Sequence, residues 1–330
     1  MKINQRLFDH YGIDTNKDLN IVPSCARPFD TVLIDKQGSC YACECTAWLP
    51  QSIGNLQISP LSDILKSSMR EHLQSTITDG TYRYCNAKQC TYIGKNMFDQ
   101  ARGGLGHLRL AIDDSCNLRC PSCRTGLIFR GGSARRLGIK LADRINEWLH
   151  ANDQDVQVHI GSDGDPFASN VYRHFMEHTP NKDNISYSIL TNGLMFGEFH
   201  TRIPQIIENL TELGVSIDGA SRETYEKLRL GGKWDKIIEN LECISNIKKE
   251  HGFRFVMHFV VQKGNHHEME MILELGRKYG ADQVNLSLLQ DWGTFNDFQS
   301  QLPPLQDPSF TSMLERCSAT DIANTWLKTG

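Results

Sequence analysis

Three cysteines, Cys116, Cys120 and Cys123, lie close together near the middle of the chain in a C-x3-C-x2-C spacing. The apolar stretch over residues 107–112 is predicted to be a strand, so the cysteines fall in the loop that follows it. Zinc sites usually pair two C-x2-C motifs and close the ion with four ligands, and no fourth ligand lies nearby in the sequence. Three thiolates can instead hold three irons of a 4Fe–4S cube and leave the fourth iron open to a small molecule. The spacing therefore favours an open iron–sulfur cluster.

The bulk composition is ordinary for a globular protein, with 39% hydrophobic and 22% charged residues in a chain of 330. The net charge is −4 and no block of Lys or Arg stands out, so electrostatics give no case for nucleic-acid binding. The N-terminus lacks the apolar core of a signal peptide, and no apolar run reaches the ~20 residues of a membrane span. We therefore expect a cytoplasmic protein without a membrane partner, whose eleven cysteines are thiols or metal ligands.

Short apolar runs alternate with amphipathic segments from residue 107 onward, which is typical of βα units and a parallel sheet. The pattern predicts strands at 107–113, 155–161, 185–191, 213–218, 253–261 and 283–289. It predicts helices at 134–150, 168–178, 201–210, 234–250 and 265–279. The predicted fold class is α/β, a partial TIM-like (βα)6 barrel that is open on one side. Functional loops are expected after the C-terminal ends of its strands.

The chain is predicted to have three parts. Residues 1–104 form a small α+β domain that contains six cysteines and one helix near 60–75, and Gly103-Gly104 marks its end. Residues 105–293 form the barrel. Residues 294–330 form a tail with a short helical pattern near 309–327.

The predicted barrel resembles the radical S-adenosylmethionine (SAM) superfamily, first in its three-cysteine loop and then in three further segments. Gly161 to Pro166 resembles the family's Gly-Gly-Glu-Pro segment, Thr191-Asn192-Gly193 its Thr-Asn-Gly turn, and Ser216 to Arg229 the subgroup with extra clusters. The resemblance implies a 4Fe–4S cluster on Cys116, Cys120 and Cys123, with SAM bound to its open iron. It implies SAM contacts or support from Gly164, Asp165, Pro166, Asn192, Ser216, Asp218, Arg229 and Ser122. Asp165 stands where Glu is usual, and Ser122 stands where an aromatic residue is common.

The family chemistry is reductive cleavage of SAM to a 5′-deoxyadenosyl radical, which removes a hydrogen atom from the substrate. A one-electron donor such as flavodoxin or ferredoxin is implied as a partner. The cofactor carries this chemistry, so no catalytic residue beyond the cluster ligands is expected.

A second cysteine pattern lies near the N-terminus, where twelve residues separate Cys25 from Gly38 and four separate Gly38 from Cys43. This spacing resembles the opening hairpin of SPASM domains and of the shorter twitch domains, which hold auxiliary 4Fe–4S clusters. With Cys85 and Cys90 it implies four ligands for one cluster, for which Cys40 or Cys45 could substitute. The module precedes the barrel here, whereas it follows the barrel in the familiar arrangement. A structural zinc site with four cysteines is the alternative.

Three functions follow from these resemblances. The first is modification of a peptide or protein side chain, since SPASM-like modules are frequent in peptide-maturing relatives. The second is radical dehydrogenation or cyclisation of a small metabolite or nucleoside, which the single-cluster form favours. The third is a non-catalytic iron–sulfur or zinc protein.

Overall fold

Ten strands form one sheet in the computed structural model, which describes residues 25–44, 52–86, 90 and 104–326. They are β1 Thr31–Asp35, β2 Ser39–Tyr41, β3 Gly54–Asn55, β4 His107–Ala111, β5 Val156–Ile160, β6 Ile185–Thr191, β7 Leu210–Ser216, β8 Arg254–Val261, β9 Gln283–Leu288 and β10 Ala323–Trp326. Their order across the sheet is β10-β9-β8-β7-β6-β5-β4-β1-β2-β3. Every pair of adjacent strands from β10 to β1 in this order is parallel, and the pairs β1–β2 and β2–β3 are antiparallel.

Helices connect the parallel strands and bury one side of the sheet. They are α1 Arg27–Asp30, α2 Leu61–Ile64, α3 Ser68–Thr78, α4 Gly132–Ala151, α5 Asn170–His178, α6 Phe196–Phe199, α7 Pro204–Glu208, α8 Arg222–Leu228, α9 Trp234–His251, α10 Met269–Lys278 and α11 Pro308–Ser318. In α4 the residues Leu141, Ile145 and Leu149 recur at every fourth position, which places them on one buried face. The predicted α/β fold, a partial TIM-like (βα)6 barrel, is confirmed.

The two faces of the strands differ in polarity. In β5 the residues Val156, Val158 and Ile160 are buried in the core that also contains Leu141 of α4. The alternate residues Gln157 and His159 are only partly buried and line a cavity on the opposite face. Successive side chains of a strand point to opposite faces, so helices cover the apolar face and the polar face forms the barrel lumen.

The sheet extends beyond the six predicted βα units at both ends. β1 pairs in parallel with β4, with Thr31 opposite His107 and Asp35 opposite Ala111. The helix predicted over 309–327 ends at Ser318, and β10 then pairs in parallel with β9. The sheet therefore crosses both predicted domain boundaries, and the division at 104 and 293 stays a prediction.

Several predicted helices have different bounds. The helix predicted over 201–210 is a 3-10 turn at His200–Arg202 followed by the five-residue α7, because Pro204 starts a new helix and β7 already begins at Leu210. The helix predicted near 60–75 is two short helices, α2 and α3. Within the described ranges, no helix is both long and apolar enough to cross a membrane.

Candidate active site

The three predicted cluster ligands lie together in the loop after β4. Cys116, Cys120 and Cys123 line one cavity of about 520 Å³, which we call the cysteine cavity. Cys116 and Cys120 are buried and Cys123 is exposed. The backbone holds this loop, since the Cys116 N–H donates to Ile128 O at 2.8 Å and the Cys123 N–H donates to Cys120 O at 2.9 Å. The cavity lies at the C-terminal ends of the strands, where the fold predicts it.

Asp165 anchors the loop after β5 to the end of β6. Its Oδ2 accepts hydrogen bonds from Thr191 Oγ1 at 2.7 Å and from the Asn192 N–H at 2.8 Å. Its Oδ1 accepts from the N–H groups of Phe167 and Ala168, both at 3.1 Å. Four bonds from the protein occupy this buried carboxylate, so its side chain holds the loop in place.

Gly164 lets this loop approach the loop after β4. Its φ is +69°, and a Cβ atom added there would lie 2.5 Å from Ser115 O. An L side chain is disfavoured at that φ and has no room at that distance. A glycine is therefore required where the two cavity loops meet.

Arg229 and Asp218 form a buried ion pair beside the cysteines. Arg229 Nε lies 2.9 Å from Asp218 Oδ2, with the two side chains 11% and 2% exposed. Asp218 Oδ1 also accepts the Val260 N–H at 3.0 Å. Burial alone would lower the pKa of Arg229, but Asp218 and Cys120 raise it above its usual range, so the guanidinium stays charged.

The structure separates the predicted SAM contacts into two groups. Those that line the cysteine cavity are Gly164, Asp165, Asn192, Ser216 and Arg229. Pro166 and Asp218 are buried behind its wall, and Ser122 is half-buried and not among the lining residues.

Sequence reasoning missed several residues of this wall, among them Lys36, Asp114, Arg124 and Trp292. Lys36 Nζ lies 2.7 Å from Asp114 Oδ2, so the end of β1 is joined to the loop after β4. Only the parallel pairing of β1 with β4 brings these two residues together. The feature of the sequence that could have indicated a site residue here is Asp114, which directly follows the first predicted barrel strand.

A second cavity, of about 330 Å³, lies inside the barrel, and we call it the lumen cavity. Its polar lining residues are Arg109, Gln157, His159, Ser188, Glu212 and His258. It shares Gly161, Ser162 and Leu190 with the cysteine cavity, so the two are adjacent. Complete TIM barrels fill this space with bulky branched side chains. A polar hollow at this position indicates room for a ligand.

The histidines of the lumen cavity are neutral near pH 7. Burial, together with the nearby Arg109, lowers the pKa of His159 to about 3. Burial also lowers the pKa of His258 to about 4. Neutral imidazoles donate through one nitrogen and accept through the other. The lumen therefore offers hydrogen bonds rather than imidazolium charge.

The model of the Radical SAM superfamily matches residues 112–276, half of the chain. The chain belongs to the radical SAM superfamily. It is therefore an enzyme, and its superfamily uses a 4Fe–4S cluster and SAM.

Similar curated proteins include a GTP 3′,8-cyclase of Alkaliphilus oremlandii (strain OhILAs), 26% identical over 149 residues, with 42% of this chain and 43% of that protein covered. A probable GTP 3′,8-cyclase of Saccharolobus islandicus (strain Y.N.15.51 / Yellowstone #2) is 23% identical over 201 residues, with 60% and 61% covered. The chain thus spans about half of the length of these curated relatives. Among solved structures, it is similar to Streptococcus suis SuiB bound to precursor peptide SuiA, with TM-score 0.47, 11% identity, and 66% of this chain and 48% of that chain covered.

The donors around the three cysteines of this radical SAM enzyme suit a cluster. The Leu118 N–H lies 3.4 Å from Cys116 Sγ. Arg229 Nη1 lies 3.8 Å from Cys120 Sγ, and Arg124 Nη2 lies 3.6 Å from Cys123 Sγ. Burial raises the pKa of Cys116 and Cys120, so these thiols need a metal cation to become thiolates. N–H donors aimed at each sulfur then stabilise the negative charge, and the residues present fit the family's cluster.

Four N-terminal cysteines are also brought near one another. Burial raises the pKa of Cys25 to about 12, and the neighbouring Cys43 and Cys90 also raise it. Burial likewise raises the pKa of Cys85, with further contributions from Cys25, Cys43 and Cys90. Burial and the neighbouring Asp35 raise the pKa of Cys40, and no other cysteine of the described ranges contributes to this shift. In the described part of the chain no three or more His, Cys, Asp or Glu side chains converge on one metal ion. Cys45 lies outside the described residues.

Proposed function

We propose that this enzyme removes a hydrogen atom from a small polar metabolite of the nucleoside or nucleotide class, bound in the lumen cavity. The observation that carries this proposal is the polar hollow itself, next to the cysteine cavity. Strand residues at these positions normally fill a barrel with apolar side chains. Here they are hydrogen-bonding groups, which suit a ligand with hydroxyl, carbonyl or ring-nitrogen atoms.

The charges of the lumen favour a substrate of low charge within this class. Arg109 Nε lies 2.9 Å from Glu44 Oε2, and Arg254 Nη1 lies 2.6 Å from Glu212 Oε2. The lumen residues Arg109 and Glu212 are thus each already in an ion pair, which reduces the attraction of Arg109 for a polyphosphate. The names of the curated relatives, GTP 3′,8-cyclases, support a nucleotide-like substrate. We expect a nucleoside to bind more tightly than its triphosphate.

The chain's own residues bind, orient and shield the reactants. When bound, the cluster and SAM supply a 5′-deoxyadenosyl radical that takes a hydrogen atom from carbon. In this proposal Cys116, Cys120 and Cys123 ligate the cluster, and Arg229 holds positive charge beside the Cys120 sulfur. The predicted SAM contacts stay Gly164, Asp165, Asn192, Ser216 and Arg229, with Pro166, Asp218 and Ser122 in supporting positions. Leu118 and Leu190 on the cavity wall limit the access of water.

A labelling assay tests the function. The anaerobically reconstituted enzyme is given reductant, SAM and deuterated guanosine or GTP, and 5′-deoxyadenosine is analysed by mass spectrometry. Deuterium in 5′-deoxyadenosine from guanosine supports the proposal. Deuterium only from GTP contradicts the argument from paired charges. Deuterium only from labelled peptides supports the other function, peptide or protein modification, and overturns this one.

We further propose that residues 1–104 form a twitch-like module in which Cys25, Cys43, Cys85 and Cys90 hold an auxiliary 4Fe–4S cluster. Cys43 and Cys90 raise the pKa of both Cys25 and Cys85, which supports a common site for the four thiols. The hairpin spacing of Cys25, Gly38 and Cys43, which resembles that of twitch domains, favours a cluster over zinc. Residues 105–293 would then be the barrel and 294–330 the tail. An electron donor such as flavodoxin or ferredoxin is the partner that this chemistry requires.

Metal analysis of a triple variant tests the second cluster. The reconstituted parent should hold about eight irons, four for each cube. Replacing Cys116, Cys120 and Cys123 by Ala should leave about four irons and abolish the formation of 5′-deoxyadenosine. Replacing the buried Cys40 by Ala is the matched control and should keep the full iron content. One zinc and no iron in the triple variant would make the N-terminal site a structural zinc site.

A further inference from the structure

His258 lies in the barrel lumen, on the side of the lumen cavity that is nearest to the cysteine cavity. It lies on β8 opposite Ser216 of β7. His258 lines the lumen cavity, and Ser216 lines the cysteine cavity. A group bound by His258 would therefore lie at the end of the lumen that faces the predicted SAM site.

The neighbouring Asn285 of β9 has a defined amide orientation. Its Oδ1 accepts a hydrogen bond from Asn324 Nδ2 of β10 at 3.0 Å and another from Gln283 Nε2. The Arg254 guanidinium can only donate, and it donates to Gln283 Oε1, so Gln283 presents its amide nitrogen to Asn285 and the oxygen of Asn285 must face that nitrogen. The Nδ2 of Asn285 then points to His258 Nδ1, at 3.3 Å. Asn324 on the C-terminal strand thus acts together with Gln283 to hold this orientation of Asn285.

The orientation of Asn285 decides which nitrogen of His258 carries the proton. Because Nδ1 accepts a hydrogen bond from an amide, the proton of the neutral ring is on Nε2. Burial, with Arg229 and Arg254 nearby, keeps the ring neutral near pH 7. His258 therefore has one N–H donor, and this donor is Nε2–H.

Nε2 of His258 has no hydrogen-bond partner among the described residues, and His258 lines the lumen cavity. On the next strand the residue beside it is Gly214, where an added Cβ atom would lie 2.9 Å from this nitrogen. Any other residue at 214 would crowd Nε2. The glycine leaves the donor accessible from the lumen cavity.

We propose that His258 Nε2–H donates a hydrogen bond to an oxygen or ring nitrogen of the substrate, and that Asn285 and Asn324 are positioning residues that fix this tautomer. This inference rests on the proposed function, because it needs a substrate in the lumen cavity. It also assigns a role to the C-terminal strand, since Asn324 acts on His258 through Asn285. The ligand chemistry is that of a hydrogen-bond acceptor, such as a hydroxyl, a carbonyl or a purine nitrogen.

Nitrogen NMR and guanosine binding test the two parts of this inference in the reconstituted enzyme at pH 8. In the parent, His258 should show a protonated Nε2 and a bare Nδ1. Asn285→Asp is nearly isosteric and still accepts from Asn324 and Gln283, but its carboxylate should draw the proton to Nδ1. We expect this variant to bind guanosine about tenfold more weakly, as for one lost hydrogen bond. His258→Phe should show a similar loss, and His258→Gln, which keeps an N–H donor, should recover part of it.

The outcomes separate the inference from the proposed function. A parent His258 protonated on Nδ1 would overturn the positioning role of Asn285 and Asn324. Parent-like guanosine binding by a folded His258→Phe or by a tautomer-shifted Asn285→Asp would overturn the substrate contact and leave the proposed function intact. No binding of guanosine or GTP to the parent would overturn the proposed substrate class and, with it, this contact. Asp321→Asn, an exposed change near β10, is the control and should leave both readouts unchanged.

Discussion

Replacing Asp218 by Asn would remove one charge from the buried ion pair beside the cysteines. The two partners, Asp218 Oδ2 and Arg229 Nε, are 2.9 Å apart, and both side chains are almost fully buried. Asn keeps the volume of the side chain and an oxygen that can still accept the Val260 N–H. The change therefore isolates the loss of charge. Arg229 would keep a buried positive charge without its carboxylate.

The expected loss of stability is large. Breaking a buried ion pair by removing one partner costs about 3–5 kcal/mol, because an uncompensated charge stays in the interior. At roughly 2 °C per kcal/mol, we expect the melting temperature to fall by about 6 °C or more. Replacing Arg229 by Met in the same chain removes the unpaired charge. The double variant should therefore melt well above Asp218→Asn.

Thermal unfolding followed by circular dichroism is the assay, and Asp235→Asn is the matched control. Asp235 pairs with Arg222 at the surface, with side chains 81% and 54% exposed. Solvent screens that pair, so its loss should not change the melting temperature measurably. The reasoning is refuted if Asp218→Asn melts within 1 °C of the Asp235→Asn control, at roughly the precision of such melts.

Two further predictions concern the cavity loops and pH. Gly164→Ala should prevent SAM binding in equilibrium dialysis, because the φ of residue 164 is +69° and the added Cβ would lie 2.5 Å from the backbone oxygen of Ser115. The control is Gly126→Ala, whose added Cβ would have no atom within 4 Å, and it should bind SAM like the parent. Equal affinities would contradict the close approach. Burial lowers the pKa of His159 to about 3, against 6.5 in the unfolded chain. As the pH drops below 6.5, the unfolded state binds a proton while folded His159 stays neutral, so the free energy of unfolding decreases. In urea titrations His159→Gln should reduce this slope by up to about 1.4 kcal/mol per pH unit, and an unchanged slope would contradict the argument from burial.

Local patterns in the sequence determined the barrel and the position of its cluster loop. Alternating runs of apolar and amphipathic residues are properties of single segments, so the strands and the longer helices between 107 and 288 could be recognised without knowing their neighbours, whereas the short α8 was not predicted. The spacing of Cys116, Cys120 and Cys123 is equally local.

Only the tertiary structure decided what the two ends of the chain contribute. β1 and β4 are separated by more than seventy residues, and β10 follows a tail whose helical pattern suggested no strand. Their pairing depends on which edges of the sheet remain open after the central strands have assembled, and no short segment encodes that. The same pairing brings Lys36 to Asp114 and Asn324 to Asn285. Side chains from both ends of the chain thus meet residues of the barrel because the sheet continues past its predicted limits.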